Sequence, residues 1–163
     1  MSRLALAQIA TLMVLGACGG SGGIADVSGS VGGSSFNEAL TVLHGGPYIL
    51  LLDVEVDCLE VGWVEPTYFD GDPPAEDLNY VAVQFKFDED PQTGTFSVYG
   101  DSAVAGTGLV QNGNDFDFMH ARDGTLTVDE VTEDSIVGKF DIVFDEGEAS
   151  GTFETEYCRN LKD

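Results

Sequence analysis

Acid–base chemistry near neutrality needs histidine, and this chain has two, His44 and His120. His44 lies in "LHGGPY", where two glycines and a proline predict a turn. His120 shares the alternating phase of Phe116 and Phe118, which predicts a hydrogen-bonded core residue instead of a catalyst. A hydrolase also needs a nucleophile and an orienting group beside its base, and no G-x-S-x-G elbow occurs. With 29 Asp and Glu residues, any pair of carboxylates suits glycoside chemistry by chance and singles out nothing. No catalytic residue is assigned, and the expectation is a protein that is not an enzyme. Calcium is the specific alternative. Asp70 and Asp72, Asp88 and Asp90, and the group Asn112, Asn114, Asp115 and Asp117 supply hard oxygen ligands in or beside turns. None completes an EF-hand loop, and Asp and Asn are turn formers in their own right. The favoured places for calcium are 88–90 and 112–117; no other cofactor is expected.

The cysteines carry a different chemistry. Residues 1–17 read as a secretory signal: Arg3 supplies the positive charge, and Leu4 to Leu15 is almost wholly apolar. That run is too short to span the ~30 Å hydrocarbon core as a helix. Leu15-Gly16-Ala17-Cys18 resembles the bacterial lipobox. The resemblance implies that Cys18 takes a thioether-linked diacylglycerol, that the chain is cut before it, and that the new amine is acylated. Two or more acyl chains anchor stably where one gives only marginal binding. Glycine-rich residues 18–26 then read as a tether. Glycine at position 19, where aspartate retains such proteins in the inner membrane, favours the outer membrane by the same resemblance.

With Cys18 lipidated, Cys58 and Cys158 remain, and an even pair in an oxidising compartment reads as a disulfide. A metal site is the rival reading, although neither histidine sits at ligand spacing from them. Once Arg3 is removed, five Lys and Arg face 29 acids, a formal charge of −24. Such a surface excludes nucleic acid as a partner and disfavours docking on anionic lipid. It suits a solvated extracytoplasmic surface more simply than a cation store.

The 146 residues left from 163 suit one domain, taken as 27–163. Val81, Val83, Phe85 and Phe87 alternate with Tyr80, Ala82, Gln84 and Lys86, which predicts a half-buried strand. The turn at 88–94 returns through 95–99, and 103–111 leads into Asn112-Gly113, a hairpin signal. Asp123-Gly124 gives the same signal before 125–131. Phe140, Ile142 and Phe144 mark another strand, and Phe153 and Tyr157 the last, ending just before Cys158. Covering strands are expected from 27–31, 39–43 and the continuously apolar "YILLLDV" (48–54), which should be central. The expectation is an all-β antiparallel meander with little helix, forming a β-sandwich or a small incomplete barrel. The irregular stretch 57–78 carries Trp63, Tyr68 and Phe69, an aromatic surface for a partner unless Trp63 caps the core near Cys58.

From Val27 onward the layout resembles secreted bacterial lipoproteins. The likeness rests on "VSGSVGGSSF", on "ILLLD" followed by a cysteine, and on "VGKFDIVFDEGEASGTFETEYC". It implies an all-β domain, supports pairing Cys58 with Cys158, and brings no activity with it. The function expected is structural or interaction work at the cell envelope, with the membrane engaged through the anchor and an envelope protein as partner; the alternative is a calcium-dependent binding domain.

Overall fold

The computed structural model describes residues 23–58, 79–99, 102–113 and 115–161. Among the described residues twelve strands carry the fold: β1 (Ile24–Val31), β2 (Ser34–Ser35), β3 (Thr41–Gly45), β4 (Tyr48–Leu52), β5 (Tyr80–Phe87), β6 (Gly94–Ser97), β7 (Val104–Asn112), β8 (Asp115–His120), β9 (Asp123–Val131), β10 (Ile136–Val143), β11 (Glu148–Glu154) and β12 (Glu156–Tyr157). They form two six-stranded sheets. The first runs β2-β1-β11-β10-β9-β6 and the second β12-β3-β4-β5-β7-β8. The architecture is a β-sandwich and not a closed barrel, and β1 opens at Ile24, ahead of the expected Val27.

The main core lies between the sheets. Val27, Val31, Leu126, Phe140, Ile142 and Phe153 from the first meet Val42, Ile49, Leu51, Val83, Phe85 and Val110 from the second. Alternation in β10 is clean, because that strand has one dry and one wet face. β5 departs from its expected half-burial. Tyr80, Ala82 and Gln84 are also buried, in a second cluster on the outer side of the sheet with Leu50, Leu52 and Leu109. Val56, Cys158 and Leu161 pack on that side too, so β4 and β5 have apolar cover on both faces. The continuously apolar β4 is central, as its composition requires.

The meander is broken where the sequence predicts hairpins. β5 does not turn back on itself through 88–94; β6 joins the first sheet, pairing Phe96 with Leu126 of β9. Asn112-Gly113 does mark a hairpin, one residue out of the expected place. Asn112 pairs with Asp115, and Gly113 takes a positive φ of 62° inside the turn. Asp123-Gly124 is no hairpin. The chain changes sheets there, since the Ala121 amide donates to Gly106 of β7 and the next amide, Arg122, donates to Val143 of β10. Gly124 lies within β9 at φ 151°, where an added Cβ would stand 2.5 Å from the Asp141 carbonyl oxygen. Gly124→Ala is therefore expected to destabilise the domain by about 1–3 kcal/mol, read from urea unfolding. Lastly, Phe153 and Tyr157 belong to different strands. β12 crosses to the second sheet and lies parallel to β3, the one parallel ladder among the described strands.

Candidate functional site

The two histidines exchange the environments expected of them. His44 sits on β3, buried, with Nδ1 2.7 Å from the Thr155 hydroxyl. The turn signal around it is real but begins one residue later, with Gly46 at φ 50°. His120 is exposed at the end of β8, an edge strand, with its ring edge-on to Phe118 at 4.7 Å. The phase it shares with Phe116 and Phe118 faces the outer side of the second sheet, not the main core. Four strand spacings separate β3 from β8, roughly 19 Å, and the two rings point to opposite faces, so they do not share a site.

The His44–Thr155 contact has the form of a base beside a hydroxyl, yet it serves as a joint. The Ile136 amide donates to Thr155 Oγ1 at 2.8 Å, and His44 Nδ1 lies 2.7 Å from the same oxygen, the donor of that bond being set by the ring tautomer. Thr155 is as deeply buried as the ring, and the pair ties β10 of one sheet to β3 of the other. Burial holds His44 below the ordinary imidazole pKa, while the Glu156 backbone and the Asp134 charge pull the other way. Asp53, at the end of β4, accepts the Val81 amide at 2.7 Å, and burial raises its carboxyl.

The calcium candidates separate. Asp88 and Asp90 follow β5 and, with Phe87, Glu89 and Phe96, line a cavity of about 340 Å³. Asn112, Asp115 and Asp117 lie at the far end of β7, roughly 27 Å away along the strand. Among the described residues, no three His, Cys, Asp or Glu side chains form a group that could hold a metal ion. Asn114, Asp70, Asp72, Cys18 and the aromatic group Trp63, Tyr68 and Phe69 lie outside the described residues.

Cys58 and Cys158 are joined in a disulfide, with Cα atoms 5.4 Å apart across 100 residues of sequence. A disulfide points to an oxidising, extracytoplasmic location. Among the described residues, no helix is long and apolar enough to cross a membrane.

Sequence reasoning misses the buried polar residues of the second sheet. Gln84 and Thr107 face each other on β5 and β7, with Gln111 farther along, all nearly inaccessible. Among the described residues Gln84 Nε2 and Gln111 Oε1 have no hydrogen-bond partner, although Gln111 Nε2 donates to the Gly113 carbonyl at 2.9 Å. Alternation assigns Gln84 to a wet face, and only the packing of the second cluster shows that face to be dry. No family model matches the chain, and neither the curated proteins nor the solved structures contain a match.

Proposed function

We propose that this chain is a lipid-anchored extracytoplasmic β-sandwich with structural or interaction work at the cell envelope. Cys18 carries the lipid, and the outer membrane is the favoured site. The observation that supports this reading most directly is the Cys58–Cys158 disulfide, which fits the exported fate implied by the signal-like N-terminus. The arrangement of the described side chains supports presentation over catalysis. The Thr155–His44 hydroxyl–imidazole pair is buried between the sheets, and the other histidine lies exposed on the edge strand β8 beside Phe118.

The geometry suits a tethered module. β1 begins at Ile24, with five residues between it and Cys18 in the sequence. The anchor keeps such a domain near the bilayer, while its strong negative charge disfavours docking on anionic headgroups. The reading requires no cofactor and no nucleic acid, and it takes an envelope protein as partner.

Radiolabelled palmitate supplied to cells making the full chain is expected to label the protein. Cys18→Ser should abolish the label and move the protein from the membrane to the soluble fraction. A wild-type chain that takes up no palmitate, or a serine variant that stays in the membrane, defeats the reading. In-cell cross-linking of the labelled protein then identifies what lies beside it.

A further inference from the structure

The cavity of about 340 Å³ lies where the chain passes from β5 of the second sheet to β6 of the first. Phe87, Phe96 and Ala103 give it an apolar wall, and Asp88, Glu89 and Asp90 a charged one. The two rings stand nearly perpendicular, at 84°, with centroids 5.6 Å apart. Both are held from behind. Phe87 is buried in the main core, and its amide donates to the Pro47 carbonyl at 2.8 Å. Phe96 packs half-buried against the same core and pairs in register with Leu126 of β9. Across the cavity the Asp88 amide donates to the Ala103 carbonyl at 3.1 Å, which ties the end of β5 to the chain entering β7.

The three carboxylates have no cation of their own. Lys86 adjoins Phe87 in sequence but alternates to the outer face of the sheet, where its Nζ stands 5.6 Å from the centre of the Tyr48 ring. None of the three acids enters an ion pair with another described residue. Nor do they converge on a point, since no three acids, histidines or cysteines among the described residues form a group that could hold a metal ion. Negative charge spread around an aromatic pocket suits a cation whose own charge is spread and whose surface is apolar.

We propose that this cavity is a binding site for a small organic ammonium ion that carries an apolar body. An aromatic ring attracts a cation within about 6 Å of its centroid, and most strongly one that has lost its water. Phe87 and Phe96 supply that wall, while the carboxylates supply the opposite charge beside it. A metal ion gains little here, because it keeps its hydration among acids that do not converge. A neutral aromatic molecule gains nothing from the acids. The volume lies at the low end of the roughly 300–1,000 Å³ usual for small-molecule pockets, which limits the ligand to a modest size. The strongly acidic chain draws cations to its whole surface, so selectivity for this place rests on the aromatic wall. The site goes beyond the interaction role proposed above and does not depend on the anchor.

The test is an NMR titration of the isotope-labelled full-length protein with benzyltrimethylammonium, in about 150 mM salt to screen the surface field. Amides of 87–90, 94–97 and Ala103 should shift saturably, half-way below about 10 mM, and benzyl alcohol should not reproduce the effect. Phe96→Leu keeps an apolar side chain on an edge strand and removes the ring; it should weaken binding about fivefold or more. Asp88→Asn, Glu89→Gln and Asp90→Asn together, all at exposed positions, should weaken it about tenfold or more. Neutralising the exposed acids Asp129, Glu130 and Glu133 in the same way should leave it unchanged within about twofold. The site is overturned by the absence of saturable shifts, by equal binding of benzyl alcohol or calcium, or by full affinity in Phe96→Leu or the first triple variant. An equal loss in the second triple variant, or tighter binding of a lysine-rich peptide to the same amides, also overturns it.

Discussion

Reducing the Cys58–Cys158 bridge is expected to lower the melting midpoint by roughly 10–20 °C. The bond closes a loop of 100 residues, and in the chain-entropy treatment a loop of that size is worth about 4.7 kcal/mol through the states it removes from the unfolded chain. A domain of this size loses about 3–5 °C for each kcal/mol. Native contacts add to the effect, because the bond pins the chain after β12, where Leu161 is wholly buried and Asn160 donates to the Cys58 carbonyl at 3.1 Å. Calorimetry of the native protein with and without reductant, repeated on a Cys58→Ser, Cys158→Ser double variant, measures it. A shift of only two or three degrees would mean that the sandwich holds residues 155–161 in place without covalent help.

The second large effect is expected at Phe85. Phe85→Ala should cost about 3–5 kcal/mol, the range for truncating a large aromatic residue in a core that cannot collapse around the space. Its surroundings favour the upper part of that range. Phe85 lies on β5, between β4 and β7, with no accessible surface and its ring edge-on to Phe140 of the opposite sheet at 5.5 Å. Its direct neighbour on β7 is Gly106, a position with no side chain to move into the gap. Nor can β7 shift inward freely, since a Cβ at Gly106 would already stand 2.4 Å from Val98 and one at Gly108 2.5 Å from Val31. Urea unfolding should show a lower midpoint at an unchanged slope. A loss under about 1 kcal/mol would mean that the two sheets repack around the cavity.

Local pattern carries information over a few residues, and what it reveals here has that range. The continuous run Tyr48–Leu52 must be buried on both faces wherever it pairs, and it is. Phe140, Ile142 and Phe144 state their dry face without help. Asn112-Gly113 turns the chain because neighbouring strands of one sheet meet there, whereas Asp123-Gly124 gives the same kind of turn signal and sits inside a strand. Asn-Gly and Asp-Gly carry the same hairpin preference, so neither pair by itself tells the cases apart. The difference lies in Gly106 and Val143, which draw consecutive amides to opposite sheets. The histidines repeat the point. Their neighbours suggest a turn for one and a core for the other, but His44 is enclosed by a stretch of chain 111 residues away in sequence at Thr155, and His120 is left open by lying on an edge.

By itself, then, the amino-acid sequence determined the strand-rich class, the acidic surface, the central placement of β4 and the only two cysteines beyond Cys18 that could pair, because each follows from composition or from period-two alternation. Tertiary structure alone decided which sheet each strand joins, which faces of β5 are dry and what surrounds each histidine. Those outcomes depend on contacts such as β1 with β11, β6 with β9 and β12 with β3. Alternation specifies a face; the strand that comes to lie beside it is chosen by the packing of the whole chain.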